Sequence, residues 1–314
     1  MRRTQFRSGL YLLVMNLKAR LWSLFSVTRL YNGFLVVLAQ YLSAVYIFGR
    51  AFSVAELLLN KDLHLLVLAT LLVVSGGYLI NQYYDLPKDL INRPVKSMID
   101  LQRTPSSLMR WSALLISIAL LAGAWVSLLA ALYFLGYFLT IWLYSHRLRS
   151  IPLWGSLLSA FLSVSPIAVL FLYYRYFDGI ILAFAVFLFV LLWIVTLVKD
   201  LENLPGDLAV GLRTLATTWG EDKNRRFIQA VVVLELCISV FILYAFELSG
   251  MRYYFYFASV SFVILMVVMS FKGRSDVYSR VHWFLKLLVL MGVMGILFLD
   301  LSRLSELKAF IFAL

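Results

Sequence analysis

The sequence predicts an all-α integral membrane protein, with nine transmembrane helices in one bundle arranged as two four-helix pseudo-repeats plus a ninth helix. Three observations predict this. The 314 residues are 63% hydrophobic and 14% charged, with a mean hydropathy of +0.90, far from the composition of soluble domains. Apolar runs of the roughly 20 residues needed to cross a bilayer recur along the chain. A ten-residue acidic pattern occurs twice, four spans apart.

The elements follow in chain order. The opening "MRRTQFRSGLYLLVMNLKARLW" is basic, its apolar run is short, Lys18 and Arg20 follow closely, and no small-residue cleavage site appears. Residues 1–27 therefore read as a cytoplasmic interfacial segment that stays on the protein, and 28–314 as the transmembrane domain. Spans are expected near 28–49, 63–82, 108–124, 127–145, 153–174, 178–198, 227–246, 254–271 and 283–300. The third and fourth come from one uncharged run, too long for a single helix, which the sequence divides near Gly123 to Trp125.

Lys and Arg are retained on the cytoplasmic side of membrane proteins. If the N-terminus and the loops after spans two, four, six and eight share that side, the opposite side holds only Arg50, Lys61, Arg175, Arg252, Arg303 and Lys308, leaving 22 of the 28 basic residues together. The formal charge of +12 is then a signal of topology and of attraction to anionic lipid headgroups, not of nucleic-acid binding. Cys237, the single cysteine, excludes an intramolecular disulfide, and His64, His146 and His282 have no zinc spacing.

Residues 80–89, "INQYYDLPKD", align without gaps on 198–207, "VKDLENLPGD". Gln82 then faces Asp200, Asp85 faces Asn203, Asp89 faces Asp207, and the Leu-Pro pairs coincide. Both copies reduce to D-x-x-D-x-x-x-D with one different carboxylate exchanged for an amide, Gln82 in the first and Asn203 in the second. Positions i, i+3 and i+7 share one helix face, so each copy is expected to present a polar ridge. Charges at span ends ordinarily mark only the membrane boundary, but two copies with the same spacing argue for a site.

Facing each other, the ridges would gather Asp85, Asp89, Asp200 and Asp207, an all-oxygen donor set suited to Mg²⁺. Lys88 lies in the first copy with Arg93 and Lys96 after it, Lys199 lies in the second with Arg213 after it, and Arg147 and Arg149 occupy the loop after span four. Carboxylates for metal and guanidinium or ammonium groups for phosphate point together to a bound diphosphate. Glu235, inside span seven, is an intramembrane acid for which a proton relay and a helix–helix hydrogen bond both stay open.

"NQYYDLPKDLINRP" resembles the first aspartate motif, with its trailing Arg-Pro, of the UbiA-type intramembrane prenyltransferase superfamily. "KDLENLPGDLAVGLRTLA" resembles that family's second aspartate motif, "YSHRLRSIPLWGSLLSA" its loop after the fourth helix, and "TRLYN" its Arg-x-x-Asn signature in helix one. The resemblance runs from about residue 28 to 220. It implies a nine-helix bundle with a central cavity, capped on the cytoplasmic side, that binds a polyprenyl diphosphate through Mg²⁺ and transfers its prenyl group to a lipophilic acceptor. Carried over by position, Asn81, Asp85 and Asp89 would hold one metal ion, and Asp200, Asn203 and Asp207 the other. Arg29, Lys88, Arg93, Arg147 and Lys199 would contact the diphosphate, and Asn32, Tyr144 and Ser145 the substrate. The family has Asp where this chain has Gln82 and Asn203, which bears on metal stoichiometry.

The chemistry agrees with this expectation. Splitting an allylic diphosphate leaves a carbocation and an anionic leaving group, which needs stabilised negative charge and an absence of water. A cavity within the membrane provides dryness and side entry for a lipid tail, and aromatic faces stabilise cations. The wording of the second motif lies closest to the branch that prenylates geranylgeranylglyceryl phosphate. Aromatic quinone precursors are the alternative acceptor, and a prenyl-lipid binder without catalysis is the alternative class.

Overall fold

The computed structural model describes residues 30–92, 104–273 and 275–313, and among them every regular element is helical. In chain order these are α1 (Leu30–Ser43), α2 (Val54–Leu58), α3 (Lys61–Asn92), α4 (Pro105–Val126), α5 (Leu128–His146), α6 (Trp154–Tyr174), α7 (Gly179–Glu202), α8 (Leu204–Ala209), α9 (Leu215–Trp219), α10 (Glu221–Ala245), α11 (Arg252–Ser270), α12 (Ser275–Gly295) and α13 (Leu301–Ala313). Among the described residues, eight helices are long and apolar enough to cross a membrane. At the expected place of the first span stands a shorter apolar helix, Asn32–Phe48, whose last turn is π-helical and fully buried. Residues 1–27, expected to be an interfacial segment, and Arg29 and Arg93 lie outside the described residues.

A large apolar core runs through the bundle, with a small second cluster at Leu79 and Leu108, while Trp125, Phe241 and Tyr244 are turned outward. Outward apolar side chains on spans of this length suit lipid contact. Close helix approach comes from small residues, as it must where lipid supplies no hydrophobic contrast. A Cβ on Gly76 would stand 3.0 Å from Ile116 of α4, and one on Gly77 3.0 Å from Ile141 of α5. Ser112 of α4 donates to the Gly76 carbonyl at 2.9 Å.

Helix breakers are answered by polar partners. Pro166, inside α6, has no N–H for the Leu162 carbonyl one turn back. The Tyr137 hydroxyl donates to that carbonyl instead, at 2.9 Å, and Gln40 donates to the Pro166 carbonyl at 2.7 Å. Inside a membrane such carbonyls have no water to turn to.

Two expectations about breaks are corrected. The long uncharged run divides at Ser127, not at 123–125. Ser127 is extended (φ −169°, ψ 156°), and its hydroxyl accepts from Ala130 N–H to start α5. Gly123 instead makes room for Phe134, which a Cβ would meet at 2.8 Å. The second acidic copy is not a continuous ridge either. The first copy lies wholly within α3, with Pro87 inside the helix. In the second, α7 stops at Glu202, Asn203 (φ −92°, ψ 1°) leaves helical geometry, and Pro205 stands in the first turn of α8, where a proline costs no hydrogen bond.

The helix α3 has 32 residues, roughly 48 Å at 1.5 Å per residue, against a hydrocarbon core of about 30 Å. If the first twenty residues from Lys61 cross the core, Asp85 and Asp89 lie on the projecting end.

At the opposite end, Arg303 of α13 donates to the carbonyls of Val45 (2.8 Å), Arg50 (2.6 Å) and Phe52 (3.0 Å). Arg303→Met is expected to strand these carbonyls and to cost about 2 kcal/mol or more, read as a lower melting temperature in detergent. A melting curve like that of the wild type would refute this role.

Candidate active site

The acidic ends of α3 and α7 meet through α8, which packs on α3. Lys88 sits between the two copies. Its Nζ lies 3.8 Å from Asp85 Oδ1, one turn back on the same face, and 3.6 Å from Asp207 Oδ1 of α8. All three side chains are shielded, with relative exposures of 6%, 13% and 1%. Arg149, from the loop after α5, makes a second ion pair with Asp85.

Asp207 carries the electrostatic tension of the site. Burial pushes its carboxyl above the usual range, Lys88 and Lys199 pull it down, and Asp89 pushes it up again. Its Oδ1 has no hydrogen-bond partner. Its cationic neighbour Lys88 stands at 3.6 Å, so this buried oxygen is compensated by charge without a short hydrogen bond and keeps an affinity for a further cation.

The other predicted residues are placed as follows. Asn81 Oδ1 accepts from the Ser145 hydroxyl of α5. Tyr144 lies near Ser159 of α6 and in the electrostatic field of Asp200 and Asp207. Lys199 acts on the same two acids. Asn32 donates to the Tyr78 hydroxyl at 3.2 Å. Asn203 is buried and caps the end of α7, and Asp89 is half-buried. Arg147 is exposed. His146 lies 3.1 Å from the Tyr84 hydroxyl and stacks on Trp142.

The structure brings Asp85 and Asp207 of different copies to one lysine, but a four-carboxylate cluster does not form. Among the described residues no three His, Cys, Asp or Glu side chains converge closely enough to hold a metal ion. Asp85 and Asp207 instead share Lys88, and Arg149 also pairs with Asp85. Hard oxygens of this kind, with Asp207 Oδ1 held only by the 3.6 Å contact to Lys88, still fit Mg²⁺, which commonly takes one or two carboxylates and completes its shell with water and substrate phosphates.

Two participants go beyond the residues carried over by motif. Arg149 is one of two arginines in one short loop, and sequence spacing does not distinguish the inward from the outward one. Asn92 is in the quoted motif without a chemical signal of its own. Its side chain donates to the Asn203 carbonyl at 3.2 Å and accepts from Gly206 N–H at 3.0 Å. Farther on, Thr214 caps α9, with Thr217 reciprocating, which gives the "RTLA" tail a structural part.

Comparisons with known proteins bear on the family and the fold. The model of the UbiA prenyltransferase family matches residues 42–291, extending the likeness beyond the acidic motifs into the last helices. A digeranylgeranylglyceryl phosphate synthase of Methanothrix thermoacetophila is 32% identical over 192 residues, covering 58% of this chain and 68% of that protein. A solved structure concerned with digeranylgeranylglyceryl phosphate synthase in membranes superposes with a TM-score of 0.63 at 17% identity, over 92% of this chain and 99% of that one. A UbiA homologue from Archaeoglobus fulgidus, bound to GPP and Mg²⁺, superposes with a TM-score of 0.65 at 12% identity, over 87% and 99%.

Proposed function

The chain belongs to the UbiA prenyltransferase family, and on that premise we propose that it transfers a geranylgeranyl-like group from its diphosphate to geranylgeranylglyceryl phosphate, with Mg²⁺ as cofactor. The observation that carries this reading is Lys88 held between Asp85 and Asp207, with Arg149 on the same Asp85. Acids and cations alternate there, as binding of a metal-complexed diphosphate requires. The choice of acceptor rests on the synthases of that name among the relatives.

Asp85, Asp89 and Asn81 from α3, with Asp200, Asn203 and Asp207 from the second copy, are the groups that would hold the metal. Mg²⁺, when bound, supplies charge neutralisation that makes diphosphate a better leaving group. Lys88, Lys199 and Arg149 neutralise the same developing charge by electrostatic contact, with Arg29, Arg93 and Arg147 as further candidates. Tyr144, Ser145 and Asn32 shape the side of the cavity where the prenyl carbon meets the acceptor hydroxyl. Apolar walls keep water from the cation.

The test uses purified protein, labelled geranylgeranyl diphosphate and a panel of acceptors, in Mg²⁺ or EDTA. Mg²⁺-dependent formation of a digeranylgeranyl ether from geranylgeranylglyceryl phosphate is expected. Transfer to 4-hydroxybenzoate alone would refute the acceptor, and diphosphate binding without transfer to any acceptor would refute catalysis.

The site is proposed to face the cytoplasm, on the strength of the basic-residue asymmetry. Ser106 is exposed at the start of α4, and the exposed Cys237 lies within α10. Ser106→Cys in a Cys237→Ala background should react with an impermeant thiol reagent only after the cytoplasmic side is opened. Labelling of intact cells from outside would reverse the orientation.

A further inference from the structure

We propose that Asn92 is a positioning residue, whose amide fixes the break in the second acidic motif onto the helix that carries the first, and thereby sets how Asp200 and Asp207 stand to each other. The inference rests on the site reading above and extends it to a residue that touches neither metal nor substrate. Asp200 belongs to α7 and Asp207 to α8, so their relative placement depends on the turn at Asn203. Without an anchor, that turn is free to change the separation of the two carboxylates.

Asn92 grips the turn at both of its backbone ends. The Asn203 carbonyl receives the amide N–H, and the Gly206 N–H is given to the amide oxygen. This pairing also fixes which way the amide points, since the reverse orientation would set donor against donor and acceptor against acceptor. With both ends of the amide engaged by backbone, it is a brace and not a ligand.

Gly206 supports the same conclusion. It is not among the residues with positive φ, so its conformation does not demand glycine. Room does: a Cβ at Gly206 would stand 2.6 Å from both Cγ and Oδ1 of Asn92. The register is also economical. Lys88 and Asn92 are one turn apart on one face of α3, and they contact the consecutive residues Asp207 and Gly206. On the other flank, Glu202 is held by His282 of α12, whose Nδ1 lies 2.6 Å from Glu202 Oε2. The break is therefore fastened on both sides.

The test measures the Mg²⁺ dependence of geranylgeranyl diphosphate binding by calorimetry, with transfer kinetics and thermal melting alongside. The variants are Asn92→Ala, Gly206→Ala and the double substitution. Asn92→Ala and Gly206→Ala are each expected to raise the Mg²⁺ concentration for half-maximal binding about tenfold, as lost support of a metal ligand commonly does. Because Gly206→Ala acts by displacing the Asn92 amide, it should add little in the Asn92→Ala background. Asn92→Asp keeps the volume and the acceptor for Gly206 N–H but sets an oxygen against the Asn203 carbonyl. It should reproduce the Mg²⁺ shift with melting closer to wild type, and it serves if Asn92→Ala does not fold. Unchanged Mg²⁺ dependence in folded variants, or full additivity in the double variant, would overturn the proposal. If the wild type itself binds no diphosphate with Mg²⁺, it is the site reading that fails.

Discussion

Asp85→Asn and Asp207→Asn are each expected to lower prenyl transfer by about 10² or more while leaving the fold intact. Each substitution keeps the side-chain volume and removes one negative charge from a shielded site, where an electrostatic contact counts for more than in water. The magnitude follows from other enzymes that lose one group stabilising transition-state charge. Asp207 is the sharper case, because it is almost completely buried and its Oδ1 has no hydrogen-bond partner. The loss should appear both in kcat and in the Mg²⁺ concentration needed for half-maximal rate. Single-turnover assays across a Mg²⁺ series check it, and turnover at the wild-type rate in either variant would remove the metal-holding role.

The position of the acids at span ends was legible because it rests on length. A 32-residue helix overshoots the hydrocarbon, and whatever follows its first twenty residues must project. The duplication was legible because register survives divergence. The different backbone of the two copies was not. Pro87 and Pro205 occupy the same aligned position, yet one lies inside a helix and the other opens one. The distinction comes from tertiary contacts, namely the Asn92 amide at Asn203 and Gly206, and no local propensity encodes it. Gly123 misled for a similar reason, being there for the ring of Phe134 and not for a bend. Arg147 and Arg149 are alternatives that only the path of the loop separates, since a single residue, Leu148, stands between them. The family model likewise reaches to residue 291, whereas the motifs stop near 220, because the later helices are joined to the site by packing and by contacts such as that of His282 with Glu202.

Lys88→Met should affect stability as strongly as function, and in a direction that depends on its partners. Lys88 is the shielded cation shared by Asp85 and Asp207. Removing it leaves Asp207 with less compensation for its burial, although Arg149 still serves Asp85. Breaking a buried ion pair from one side costs about 3 kcal/mol, chiefly because the surviving charge is stranded, and the long 3.6 and 3.8 Å contacts place this case at the lower end. The melting temperature in EDTA is therefore expected to fall by several degrees. A second substitution reveals the cause. Asp207→Asn should stabilise the Lys88→Met protein, by removing the stranded charge, while giving no such gain in the wild type, where Lys88 compensates it. Mg²⁺ should recover more stability in Lys88→Met than in wild type, since it restores positive charge beside the same acids. Equal effects of Asp207→Asn in both backgrounds would show that Lys88 and Asp207 are not coupled, and the meeting of the two acidic motifs across this lysine would lose its energetic basis.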